Sequence, residues 1–161
     1  HLARNILKEK FVIEKTEKAL MNCEWPGRLQ QIKSGLLNKE IKKYKNIYLD
    51  GFHNIDGMKA LIKSLPKNRK ILICSFLKNK KYIQMLSNLS NHFNKIIVVK
   101  MNEENSITED LLPKYLKLYF ANSLSDSFKI INKLSSNQTS IYFGGSLYFI
   151  GEVIKLNRLK N

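Results

Sequence analysis

Long apolar runs and paired cysteines are both missing from this sequence. No stretch approaches the roughly 18 to 20 apolar residues that a membrane-spanning helix needs, and the opening segment, HLARNILKEK, is too charged for a signal peptide. The two cysteines, Cys23 and Cys74, have neither CxxC spacing nor His or Cys partners at zinc-ligand distances. We therefore expect a soluble, cytoplasmic chain with reduced thiols, no membrane contact and no metal site of its own.

Glycine-rich nucleotide-binding motifs are also absent. The sequence has no GxxxxGK(S/T) phosphate loop. It has no GxGxxG after its first apolar run, because its paired glycines, Gly144 and Gly145, come near the end. A nicotinamide-binding Rossmann protein is therefore disfavoured.

Positive charge, in contrast, is abundant. The sequence has 28 Lys and Arg against 13 Asp and Glu, a formal net charge of +15. Such a charge attracts phosphate whatever the base sequence, so a basic nucleic-acid-binding α/β module is an alternative. However, the excess is mostly lysine spread along the whole chain, without clustered arginines or an RNA-binding or helix-turn-helix signature. We favour solvated lysine faces and expect no nucleic-acid partner.

Short apolar runs alternate with segments of helical periodicity. Strands are predicted at 46–50, 70–76, 95–100 and 139–145, with a further strand starting within 29–32. Helices are predicted at 55–65, 80–90, 108–117, 122–134 and 146–158, and residues 2–21 suggest two helical stretches with a break. Because the strand runs are apolar throughout, both of their faces should be covered. This order predicts an α/β fold with a parallel, doubly wound sheet.

In such sheets ligands bind beyond the carboxyl ends of the strands, which directs attention to the residues after each apolar run. Four segments stand out: WPGRLQ with Arg28, DGFHN with Asp50, His53 and Asn54, FLKNK with Lys80, and GGSLY with Ser146. Each has a purely structural alternative. Asn54 could cap the next helix while Asp50 bonds to backbone amides. WPGR could be a surface turn beside a packed tryptophan, and the paired glycines could serve close packing.

Together and in this order, the four segments resemble the C-terminal domain of folylpolyglutamate synthase and the bifunctional dihydrofolate synthase, which are Mur-like amide ligases. The resemblance runs through residues 24–31, 48–65, 71–81 and 139–156. It implies a Rossmann-like, mostly parallel sheet of the Mur ligase C-terminal type over residues 22–161. Residues 1–21 then resemble the tail of a preceding ATP-binding central domain, so the chain would be part of a longer, monomeric enzyme.

The resemblance also implies an activity. In that family, ATP phosphorylates a carboxylate of folate or dihydropteroate, and the amine of L-glutamate attacks the acyl phosphate to form an amide. The phosphate loop and the Mg²⁺ ligands lie in the central domain, so this chain alone should be inactive. Its partners would be ATP, L-glutamate, folate or dihydropteroate, and its own N-terminal and central domains.

Six residues match positions with roles in the family. Arg28 matches the arginine that reaches the ATP phosphates, and Asp50 matches the acid that binds the nucleotide through its ribose hydroxyls. The polar pair beside it, His53 and Asn54, would lie near the incoming amino acid or the acyl phosphate. Two further residues belong to the amino-acid pocket, where Lys80 would bind the carboxylate and Ser146 would form part of the wall.

Overall fold

The computed structural model describes residues 15–18, 25–42, 44, 46–134 and 139–159. A six-stranded sheet lies at its centre, in the order β1-β2-β6-β3-β4-β5. The strands are β1 (Gln30–Ile32), β2 (Asn46–Asp50), β3 (Lys70–Cys74), β4 (Lys95–Val99), β5 (Leu118–Ala121) and β6 (Ser140–Gly144). β1 is antiparallel to β2, and the other neighbouring pairs are parallel. The predicted, mostly parallel sheet is confirmed.

Helices cover both faces of the sheet, as predicted. They are α1 (Leu36–Glu40), α2 (Ile55–Ser64), α3 (Tyr82–Leu89), α4 (Leu124–Lys133) and α5 (Leu147–Asn157). One hydrophobic cluster joins the sheet to α1, α4 and α5, and the other joins it to α2 and α3. All of β3 is buried, and its side chains alternate between the clusters, with Ile71 and Ile73 in the first and Leu72 and Cys74 in the second. This explains why the strand runs are continuously apolar.

The register of the central strands aligns the residues that were singled out as candidates. Gly144, the last residue of β6, pairs with Asp50 of β2 on one side and with Cys74 of β3 on the other. We call this end of the sheet the carboxyl edge. The loops that follow β2, β3 and β6 therefore start side by side.

The helix predicted over 108–117 is wrong. Within that span a single 3₁₀ turn forms at Glu109–Leu111, and the edge strand β5 follows at Leu118–Ala121, which the sequence analysis did not identify. Pro113 lacks an N–H and its ring crowds the preceding turn, so a helix is broken there. β5 is only half-buried, so it lacks the continuous apolar run that marked the central strands.

Several expectations concern residues that are only partly described. The proposed tail of a central domain, residues 1–21, lies outside the described residues except for a helical stretch at 15–18, so the division at residue 21 stays a prediction. Cys23 also lies outside them, whereas Cys74 is buried, and burial raises the pKa of its thiol. No helix in the described part of the chain is both long and apolar enough to span a lipid bilayer.

Candidate functional site

A tight turn at Trp25–Arg28 presents the first candidate residue. The Arg28 N–H donates to the Trp25 carbonyl at 3.0 Å. Pro26 follows Trp25, and Gly27 has a φ of 70°, the arrangement of a type II turn, which needs a residue that tolerates positive φ at its third position. The Gly27 N–H donates to the Gln30 side chain at 3.0 Å. We call residues 25–29 the Arg28 loop.

Backbone and side-chain hydrogen bonds tie the Arg28 loop to the turn after β2. The Gly51 N–H donates to the Gly27 carbonyl at 2.7 Å, and Arg28 Nη1 donates to the Gly51 carbonyl at 3.2 Å. Asp50 Oδ2 accepts from the Leu29 N–H at 3.0 Å. Leu29 has a φ of 42°, which is uncommon for a residue with a side chain, and the Asp50 hydrogen bond helps to hold it there. Segments some twenty residues apart thus form one unit.

Asp50 is the centre of this unit. Its second oxygen, Oδ1, accepts from the Phe52 N–H at 3.0 Å. Burial raises the pKa of the Asp50 carboxyl, and the two backbone hydrogen bonds and the nearby charge of Arg28 partly oppose that shift. The structural alternative for Asp50, bonding to backbone amides, is therefore present. It leaves acceptor capacity, because each oxygen of an ionised carboxylate can accept more than one hydrogen bond.

His53 and Asn54 differ in their roles. His53 Nδ1 lies 3.2 Å from the Gly51 carbonyl, so a proton on Nδ1 would complete a hydrogen bond to the atom that Arg28 also contacts. Asn54 is the N-cap of α2, and its Oδ1 accepts from the Gly57 N–H at 2.8 Å. Asn54 thus has the capping role of its structural alternative, and its exposed amide nitrogen remains open to a ligand.

Helix α5 packs against the two glycines of the unit. A Cβ atom at Gly51 would collide with Leu147, and one at Gly27 would lie 2.9 Å from Ile150. At the end of β6, a Cβ at Gly144 would collide with Phe52, so that glycine serves the close packing that was its structural alternative.

Exposed apolar side chains occur in the Arg28 loop and at the start of α5, two segments that contact the Gly51 turn. Trp25 is 71% exposed, Leu147 51% and Tyr148 61%, and Leu29 is exposed as well. The packed tryptophan of the structural alternative is therefore not found. Sequence reasoning did not identify Leu29, Leu147 and Tyr148, because an apolar residue gives no local signal of its exposure. We call these four residues the apolar rim.

Ser146 and Lys80 occupy different places. Ser146 is a buried N-cap residue of α5 whose side chain makes no capping hydrogen bond. It lies between Gly144, which pairs with Asp50, and Leu147, which covers Gly51. Lys80 is exposed and lines a separate cavity of about 490 Å³ with Tyr82 and Ser87. The structure therefore brings five of the six predicted residues to one turn and its neighbouring strand end, and Lys80 contributes to another cavity.

Among the residues that the structure describes, no group of three or more His, Cys, Asp or Glu side chains could hold a metal ion.

Similarity to known proteins agrees with the resemblance found in the sequence. No model of a known protein family matches the chain. Over 154 residues it is 26% identical to the dihydrofolate synthase/folylpolyglutamate synthase of Bacillus subtilis (strain 168), which covers 91% of this chain and 33% of that enzyme. The chain thus spans about a third of the length of this curated relative.

Two solved structures share its fold. A bifunctional folylpolyglutamate synthase/dihydrofolate synthase from Yersinia pestis, complexed with AMPPNP and Mn, matches with a TM-score of 0.76 and 16% identity over 92% of this chain and 35% of that one. The Mycobacterium tuberculosis folylpolyglutamate synthase complexed with ADP matches with a TM-score of 0.74 and 18% identity, over 94% and 36%. These matches confirm the resemblance in sequence and in fold, and this chain has the fold of the C-terminal domain of the folylpolyglutamate synthase and dihydrofolate synthase ligases.

Proposed function

We propose that this chain is the C-terminal domain of an ATP-dependent ligase that adds L-glutamate to folate or dihydropteroate through an acyl phosphate. The observation on which this rests most is the hydrogen-bonded unit of Arg28, Asp50 and Gly51 at the carboxyl edge of the sheet. Relatives whose names state this activity match nearly the whole chain, and two of the matched structures hold ATP analogues or ADP. Both facts support the proposal.

Arg28 fits a role at the nucleotide phosphates. Its Nη1 donates a hydrogen bond to the Gly51 carbonyl, which holds the side chain in place. Because Arg28 is exposed, its other N–H groups can reach a ligand. A planar, always charged fork of this kind suits phosphate oxygens. ATP would supply the phosphoryl group, and Arg28 would hold positive charge where negative charge develops. Asp50 orients Arg28 indirectly, because it fixes Leu29 next to it.

Asp50, His53 and Asn54 would bind the remaining polar groups. Asp50 has acceptor capacity for ribose hydroxyls, and its position beside Arg28 suits a nucleotide lying along the turn. His53 and Asn54 follow it on the same loop, where the incoming amino acid or acyl phosphate would lie. Ser146 would form part of the same wall. Lys80 lines a different cavity, so its proposed contact with the glutamate carboxylate has the weakest geometric support.

The apolar rim supports a covering domain. The rim residues are exposed and lie in the Arg28 loop and the first turn of α5, next to the polar turn, and exposed apolar patches on a folded domain commonly mark an interface. We propose that the central domain of the same enzyme covers the rim and supplies the phosphate loop and the Mg²⁺ ligands. The longer enzyme would then be a cytoplasmic monomer with its active site between two of its own domains.

Substitution of Arg28 in the longer enzyme tests this function. Arg28→Ala should lower turnover by about 10² or more, as loss of other charge-stabilising donors does. Arg28→Lys keeps the charge and loses the fork, so it should give an intermediate value. Lys63→Ala, at an exposed position in the last turn of α2, is the control and should keep wild-type kinetics. Wild-type turnover in a folded Arg28→Ala enzyme would contradict the proposal.

A further inference from the structure

A polar cavity lies at the end of the sheet opposite the carboxyl edge, where β3 and β4 begin. It has a volume of about 470 Å³, and its lining includes the cationic side chains of Arg69, Lys95 and Lys133, the polar Asn94 and Thr139, and the apolar Ile71 and Leu134. We call it the basic cavity. Arg69 precedes β3, Lys95 begins β4 and Lys133 ends α4, so three separate elements each bring one cation to it.

No described acidic side chain pairs with the positive charge of the basic cavity. Its described lining residues include no acid. In the described part of the chain, the ion pair found joins Lys129 to Asp126, and none of the three cavity cations has a carboxylate oxygen within 4.0 Å. Lys95 Nζ lies 5.4 Å from the centre of the Tyr119 ring, which holds its position without removing its charge. Three unpaired cations around one cavity repel each other, and a bound anion would relieve that repulsion.

The basic cavity is distinct from the Arg28 and Asp50 unit. Ile71 pairs with Lys95 at the start of β3 and β4, whereas Asp50 ends β2 at the carboxyl edge. Each of these strands has five residues, so its two ends are four steps of ~3.3 Å apart, or roughly 13 Å. A ligand in the basic cavity would therefore not be the nucleotide proposed above.

We propose that the basic cavity binds a small polyanion, a molecule carrying two or more phosphate or carboxylate groups. The cavity volume lies within the range of small-molecule sites. Arg69 supplies a fork that suits phosphate, and the lysines supply point charges that suit either anion. The proposal does not depend on the proposed ligase function, because none of the residues that line this cavity belongs to the nucleotide site.

The shape of the basic cavity favours a small ligand over a nucleic acid. The cations surround a concavity instead of forming a stripe along one element, and no aromatic ring is among the described lining residues. Single-stranded nucleic acids are bound mainly by aromatic stacking along an extended basic groove. Duplex binding likewise needs cations spaced along the phosphate backbone.

Calorimetric titration of the 161-residue chain with inorganic pyrophosphate and with tri-L-glutamate distinguishes the two kinds of anion. At about 0.05 M salt, where screening is weak, we expect saturable binding of at least one probe with one molecule per chain. Arg69→Gln/Lys133→Gln should weaken it about tenfold or more. Lys59→Gln/Lys63→Gln removes the same charge from the exposed face of α2 and should change it less than about twofold.

Amide NMR shifts in the wild-type chain give a result that needs no variant. The probe should shift the signals of Arg69, Asn94, Lys95 and Lys133. The proposal is overturned if neither probe binds saturably, if both double variants lose affinity equally, or if the shifts avoid these residues. It is also overturned if Arg69→Gln/Lys133→Gln abolishes binding of a short duplex DNA while neither small probe binds, since the surface would then be a nucleic-acid interface.

Discussion

At the scale of single residues, Asp50 both holds two backbone segments in place and can accept further hydrogen bonds from a ligand. It fixes the Arg28 loop through Leu29 and its own turn through Phe52, and it keeps acceptor capacity toward the carboxyl edge. The sequence predicted that Asp50 ends a strand and begins a turn, because an acid followed by Gly-Phe-His-Asn after an apolar run is a local pattern. The bond to Leu29 could not be predicted in the same way, because it depends on β1 lying beside β2.

Burial of Asp50 predicts a pH dependence of stability. The pKa of its carboxyl is raised in the folded chain, so the folded state binds the proton more tightly than the unfolded state. The stability of the wild type relative to Asp50→Asn should therefore be highest below the ordinary aspartate pKa of about 3.9 and should fall as pH rises through the raised pKa. Urea unfolding at a series of pH values measures this.

Asp126 offers a control of opposite sign. Hydrogen bonds from Lys129 and Ser123 lower the pKa of its carboxyl. Relative to Asp126→Asn, the wild type should keep the stabilising contribution of this carboxylate above the ordinary aspartate pKa and lose it as pH falls through the lowered one. Slopes of the same sign for the two sites would contradict the assignment of burial as the main cause at Asp50.

Asn54 allows its capping role and its ligand role to be separated. Asn54→Ala should lower the free energy of unfolding by about 1 kcal/mol, because the Gly57 N–H loses its acceptor. Asn54→Asp keeps the cap, so stability should stay near wild type, and glutamate ligation by the longer enzyme should fall if the amide contacts a ligand. Ser123→Ala, at the equivalent cap of α4, should reduce stability alone. Full activity of Asn54→Asp would restrict Asn54 to capping.

At the scale of elements, α5 sets the position of the turn that precedes α2. Leu147 packs closely against Gly51, and Ile150 packs closely against Gly27. These two glycines are joined by a backbone hydrogen bond. The other end of α5 is also anchored, because the Asn157 side chain accepts from the Leu37 N–H at 3.0 Å and donates to the Ser34 carbonyl at 3.1 Å. α5 is therefore fixed at both ends around the β1 region.

Gly51→Ala tests this contact. The added methyl would collide with the end of the half-exposed Leu147 side chain, which can rotate toward solvent, so we expect a loss of about 1 kcal/mol or less in the free energy of unfolding. Leu147→Ala alone should have a small effect, because Leu147 is half exposed. The double variant Gly51→Ala/Leu147→Ala should recover most of the loss in urea unfolding. A double variant as unstable as Gly51→Ala would place the strain in the backbone of the turn.

Elements differ in how well the sequence predicted them. The central strands and α2 were identified because continuous apolar runs and an Asn cap are local signals. β5 was missed because an edge strand keeps one side near solvent and Pro113 interrupts the segment before it. The apolar rim was missed because exposure is decided by which elements are neighbours, and that information is not local.

At the scale of the whole molecule, the chain has a core of its own but no phosphate loop. Two hydrophobic clusters cover the two faces of one sheet, so we expect a single cooperative urea transition for the isolated chain. With ATP, folate and glutamate the isolated chain should show no turnover above the blank, whereas the proposed longer ligase should show turnover under identical conditions. Turnover by this chain alone would contradict its assignment as one domain of the ligase.

The position of β6 has a consequence for synthesis. β6 is the last of the described strands in sequence order, yet it lies between β2 and β3, the second and third. Until residues 140–144 have left the ribosome, β6 cannot form, and β2 and β3 each lack the strand that lies between them. Each then has an unpaired edge that can pair with strands of other chains. Closing the sheet also requires a contact between segments separated by about ninety residues, from Ile47 to Ile141, which slows folding. Nascent chains stalled before β6 should therefore need chaperone protection, whereas completed chains should not.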